Sequence, residues 1–114
     1  MSTKKEDRNA YKQMKLRVGI FQIKNLKNDK LFLKTCMDLD RAFGSDLFQL
    51  NTGLHSNSEL QNDWKTLGAD SFEFNIFDEL KMKDNANDIE IRRELKEFLN
   101  LHRSDLLAKG YLLY

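Results

Sequence analysis

Proline is missing from this chain of 114 residues, so it holds no polyproline segment and no proline-locked turn. The single cysteine, Cys36, excludes an internal disulfide. With no second cysteine and no histidine near it in sequence, it supports neither a thiolate metal site nor thiol catalysis, and it suits a reducing compartment. No apolar run approaches the ~20 residues that a bilayer-spanning helix needs. The opening MSTKKEDRNAYKQMK is charged throughout and lacks the apolar core of a secretory signal; the expectation is a cytoplasmic protein. A net excess of either charge is lacking too. Nineteen Lys and Arg face eighteen Asp and Glu, leaving +1, whereas dedicated nucleic-acid binders are usually more basic. The basic excess is local: residues 4 to 34 carry eight Lys and two Arg against Glu6, Asp7 and Asp29.

What is present suffices for one domain with a real core. Hydrophobic residues make up 40%, with eight Phe among them, so a packed interior is expected and wholesale disorder is not. Residues 1–16 form a polar N-terminal segment, in which a short helix of low stability fits residues 3 to 15. Residues 17–114 form the single domain. Val18 to Lys24 is apolar on both faces, as in a central strand. Asn25 to Lys30 supplies turn residues and Leu31 to Thr35 a second strand, together a hairpin.

Asp38 is the expected N-cap of a helix carrying Leu39, Ala42, Phe43, Leu47 and Leu50, with Asn51-Thr52-Gly53 closing it. Ser56 and Glu59 have the spacing of a capping box. Leu60, Trp64 and Leu67 line the helix that follows, up to Gly68. Residues 71 to 77 alternate, placing Phe72, Phe74 and Ile76 on one face of a third strand. Lys81 to Asn87 is a charged linker, and Ile91, Leu95, Phe98, His102 and Leu106 mark a last amphipathic helix to about Leu107. The fold class is therefore α/β in the α+β sense: a small three-stranded, mostly antiparallel sheet flanked by helices.

The two strands of the hairpin open with Gly19-Ile20-Phe21 and Phe32-Leu33-Lys34, separated by ten residues. Residues 48 to 80 then follow a pattern of F-x-L, G-x-H-x-N-x-x-L-Q-x-D-W, G and F-x-F-x-I, from Phe48 and Leu50 through His55, Asn57, Gln61, Asp63 and Trp64 to Ile76. Lys109-Gly110-Tyr111 adds a late tripeptide. From about Val18 to Tyr111 the chain resembles a GIY-YIG nuclease domain, and the middle stretch resembles small bacterial members.

That resemblance implies phosphodiester cleavage with one divalent ion. Tyrosine hydroxyls near the water, an arginine on the phosphate and a glutamate for the metal are the groups such chemistry needs. Matched by position, however, the tyrosines become Phe21 and Phe32, the arginine Ala42, and a frequent histidine Asp46. The glycine of the second tripeptide becomes Lys34, and a terminal asparagine becomes Leu112. The glutamate falls at or near Leu99, with Glu94 and Glu97 as fallback metal ligands. Of the set only His55 stands, and a loop histidine bonding the backbone ahead of Asn57 is its plain alternative role.

The expectation is thus a catalytically degenerate binding module with no catalytic residue set intact and no cofactor. Its partner is a nucleic acid or a protein, with Lys34, Arg41 and Lys65 as nucleic-acid-binding candidates. The alternative is a weak endonuclease dependent on Mg²⁺.

Overall fold

The computed structural model describes residues 16–114; the helix expected over residues 3 to 15 lies outside them. Three strands, β1 (Val18–Asn25), β2 (Leu31–Cys36) and β3 (Phe72–Leu80), form an antiparallel sheet in the order β2-β1-β3. The strand apolar on both faces is the central one, because only a strand covered above and below can bury alternate residues both ways. The hairpin turn is built by asparagine side chains. Asn25 Oδ1 accepts the Lys27 N–H and Asn28 Oδ1 the Lys30 N–H, both at 2.9 Å, while Asp29 takes the left-handed conformation at φ 63°.

Helices α1 (Phe43–Thr52) and α2 (Ser58–Leu67) cover one face of the sheet, and α3 (Asp88–Ala108) covers the other. Each face has its own core. Phe21, Ile23, Ala42, Leu50, Leu60, Trp64 and Phe72 make the first; Ile20, Leu31, Leu33 and Leu106, joined by Phe77, Phe98 and Leu99, make the second.

Register between β1 and β3 slips at one point. Ile20 pairs with Asp78 but Phe21 with Ile76, so Phe77 is an extra residue, and its ring joins the second core. The alternation of Phe72, Phe74 and Ile76 stops there, and Ile76 itself stays 40% exposed. Gly19 lies beside this bulge. A Cβ at that position would sit 2.2 Å from the Asp78 carbonyl oxygen, so the close approach of β3 demands a residue without one.

Two caps differ from the sequence expectation. Asp38 makes no capping bond; it precedes a 3-10 turn, Leu39–Arg41, and α1 starts only at Phe43. The Leu39 N–H is bound by the Arg17 carbonyl at 2.7 Å, which ties this turn to the start of β1, and the Arg41 N–H goes to the Asp38 backbone carbonyl at 3.0 Å instead of to its side chain. The cap of α2 is Asn57, whose side chain accepts the Leu60 N–H at 3.0 Å, and not Ser56. Glu59 pairs with Lys30, which draws away the side chain the expected box needs, and with the helix starting at Ser58 the cap position falls on Asn57, one residue past Ser56. At α3 a complete capping box does form, between Asn87 and Glu90.

The closing GYLLY extends the sheet edge. Leu113 bridges to Leu31 in parallel, with Leu31 N–H donating to Leu112 O at 3.0 Å and Tyr114 N–H to Leu31 O at 2.8 Å.

Candidate functional site

Phe21, Phe32 and Lys34 lie on the sheet face covered by α1 and α2, because Phe21 pairs with Lys34 and Ile23 with Phe32 across the β1–β2 ladder. Phe21 is 1% exposed, and its ring meets Phe43 edge-on at 5.8 Å. Phe43 in turn meets Phe74 at 5.5 Å, so a chain of rings fills the space beside the first tripeptide. Ala42 is buried in the same cluster. A guanidinium reaching from this position would enter the apolar core.

The polar end of the site is a closed set of bonds. Asp46 is 1% exposed and receives His55 Nε2 at 2.7 Å and Lys34 Nζ at 3.1 and 3.4 Å. His55 Nδ1 accepts the Asn57 N–H at 3.0 Å, so the proton of the neutral ring sits on Nε2 and is donated to Asp46. The backbone of the same residue is pinned as well: His55 N–H donates to Gln61 Oε1, and Gln61 Nε2 donates to the Leu50 carbonyl, each at 3.0 Å. Phe32 packs edge-on against the imidazole at 5.3 Å.

Both ring nitrogens and both carboxylate oxygens therefore have protein partners. Lys34 alone of the three reaches solvent, with its side chain 43% exposed, and its charge is met by a buried carboxylate.

The remaining sequence candidates do not join this cluster. Arg41 and Lys65 are exposed, Lys65 lying against Gly53 at the C-terminal end of α1. Glu94 and Glu97 project from the exposed part of α3, on the far side of the sheet, and Leu99 packs in the second core. The divalent-ion site implied by the resemblance does not fit this arrangement: the one carboxylate at the cleft is sealed by His55 and Lys34. Among the described residues no three His, Cys, Asp or Glu side chains gather as a metal site.

Sequence reasoning missed a second polar network. Tyr114 OH donates to Asp63 Oδ2 at 2.6 Å and accepts from Asn25 Nδ2 at 3.0 Å, while Lys30 sits 4.9 Å from the Tyr114 ring centre and pairs with Glu59. Asn25 is fully buried. Burial first, and then donation to Asp63, push the Tyr114 phenol up to about 12. The signal available in sequence was Asp63 within the family pattern; its partner 51 residues away was not readable.

No family model matches the chain, and no curated protein matches it. Solved structures do. The catalytic domain of the homing endonuclease I-TevI is 32% identical with a TM-score of 0.51, over 72% of this chain and 88% of that one. The chain belongs to the GIY-YIG nuclease family. A mutant form of the catalytic domain of intron endonuclease I-TevI agrees, at 29% identity and a TM-score of 0.54 over 74% of this chain and 86% of that one. The antiparallel sheet and its flanking helices are thus a GIY-YIG domain. No helix among the described residues is long and apolar enough to cross a membrane.

Proposed function

We propose that this GIY-YIG domain binds a partner without cutting it. The observation that carries the reading is the Lys34–Asp46–His55 network, which closes the polar end of the cleft with its own bonds. A nuclease needs a proton acceptor open to water, a cation open to the phosphate and a carboxylate open to a metal. In this cleft the imidazole has no free nitrogen, the ammonium faces a carboxylate, and the carboxylate is buried. Replacement of both tyrosines by Phe21 and Phe32 and of the arginine by Ala42 supports the same reading, since it removes two hydroxyls and a bidentate phosphate clamp.

The test is direct. Purified protein incubated with supercoiled plasmid and Mg²⁺ or Mn²⁺ is expected to leave the plasmid intact at protein concentrations well above that of the DNA. Metal-dependent nicking that disappears in a folded His55→Gln variant would overturn the reading and restore the endonuclease alternative.

A further inference from the structure

The charges of α3 are sorted by side. At about 100° per residue, Arg92, Arg103, Lys96, Asn100 and Arg93 fall, in that angular order, within one sector about 100° wide, together with the apolar Ile89 and Leu107; no acidic residue falls among them, and Asp88, at the first position of the helix, lies about 40° outside the sector beside Arg92. Glu97, Glu90, Glu94 and Asp105 occupy the opposite flank. Leu95 and Leu106 face the sheet between the two flanks. Arg92, Arg93 and Lys96 are exposed, and none of the three forms a hydrogen bond or ion pair with another of the described residues. Arg103 is half-buried and donates to the Tyr114 carbonyl at 3.5 Å, which turns the basic flank towards the β2 edge of the sheet. A helix with mixed charge in random order would be a solvated face; here, past the first residue Asp88, the basic side chains gather on one flank and the acidic ones on the other, which is a surface with a preferred partner.

We infer that the basic flank of α3 is a nucleic-acid interface that holds the phosphate backbone, on the opposite side of the sheet from the old cleft. Three features favour a polyanion over a protein. Three of the four cations are arginines, whose planar fork suits phosphate oxygens. They extend along roughly 16 Å of helix axis from Arg92 to Arg103 at ~1.5 Å per residue, a length over which one strand of a duplex presents about five phosphates. Asn100, between them, adds a neutral donor for sugar or phosphate oxygens. The cleft cannot take this part, because the one cation there, Lys34, is neutralised by Asp46. The inference rests on the non-cleaving reading only in requiring binding without chemistry.

The experiment measures binding of labelled duplex DNA, single-stranded DNA and RNA by fluorescence anisotropy across a salt series, in EDTA so that no metal-dependent cleavage contributes. The variant Arg92→Gln/Arg93→Gln/Lys96→Gln changes only exposed positions and keeps residues favourable to a helix. Its affinity is expected to fall by about tenfold or more, and the slope of log affinity against log salt by about one unit per phosphate contact removed. A control variant away from α3, Lys34→Gln/Arg41→Gln/Lys65→Gln, is expected to bind like the parent. Loss of binding in this control variant alone would overturn the α3 interface while leaving the binding module intact. Absence of salt-dependent binding by the parent protein to all three nucleic acids would overturn it as well, and would point the module to a protein partner. Plasmid cleavage in the separate metal assay would sink the non-cleaving reading without touching the anisotropy result.

Discussion

Tyr114 shows how one side chain can tie distant parts of a small domain. Its hydroxyl joins Asn25 of β1 to Asp63 of α2, while its backbone pairs with Leu31. Because the folded state holds the phenol up to about 12, against an ordinary value of 10.0, the neutral form is the one favoured by folding. The sign follows: this stabilisation is complete below pH ~10 and is lost as pH rises through the folded value. Titration of phenolate absorbance should show one tyrosine step near pH 12 that vanishes in Tyr114→Phe, and the urea midpoint of the parent should fall towards that of the variant over the same interval.

Asp46 is the second informative residue. Asp46→Ala would leave the His55 Nε2–H without its acceptor in a buried site, a loss of about 1–3 kcal/mol. Lys34→Met takes the ammonium from Oδ1 of the same buried carboxylate and should also cost about 1–3 kcal/mol. Urea denaturation of both variants checks the losses.

At the scale of elements, most starts and stops were readable because a local signal governs them. Gly53 and Gly68 end their helices with positive φ, and period-two and period-3.6 patterns located β1, β2, β3 and α3. The errors have named causes. Asp38 and Ser56 have the chemistry of caps, but the Arg41 N–H goes to the Asp38 backbone carbonyl in a 3-10 turn, and at Ser56 a contact distant in sequence decides: Lys30 draws Glu59 away. In consequence Asn57→Ala should destabilise the protein by ~1 kcal/mol, whereas Ser56→Ala should change the urea midpoint little. The bulge was hidden for the same reason, since Phe77 changes face only because Gly19 lets the Asp78 carbonyl approach β1. Gly19→Ala has no side-chain remedy, as the clash is with backbone. It should cost about 1–3 kcal/mol by overpacking, read as an earlier thermal midpoint with the β1–β3 amide cross-peaks shifted most.

Across the whole molecule, the two sheet faces differ in what they hold. The face under α1 and α2 carries the positions at which the resemblance places tyrosines, arginine and histidines, and it is a packed core edged by one closed polar network. Sequence singled out Phe21, Phe32, Ala42, Asp46 and His55 as positions to compare with the family, yet it could not show that Asp46 and His55 close on Lys34; that depends on Lys34 and Asp46 meeting from different elements. The closure predicts what reversion does. Restoring tyrosine at 21 and 32 and arginine at 42 returns the missing functional groups, but Phe21 is 1% and Ala42 6% exposed. A hydroxyl beside Phe43 would lack a partner, and a guanidinium beside Leu50 and Trp64 would be a buried, unpaired charge costing several kcal/mol. The triple reversion Phe21→Tyr/Phe32→Tyr/Ala42→Arg should therefore lower the thermal midpoint by many degrees and nick no plasmid with Mg²⁺. Efficient cutting by a stable triple variant would mean that the packed face opens readily, and that only three side chains separate this domain from an enzyme.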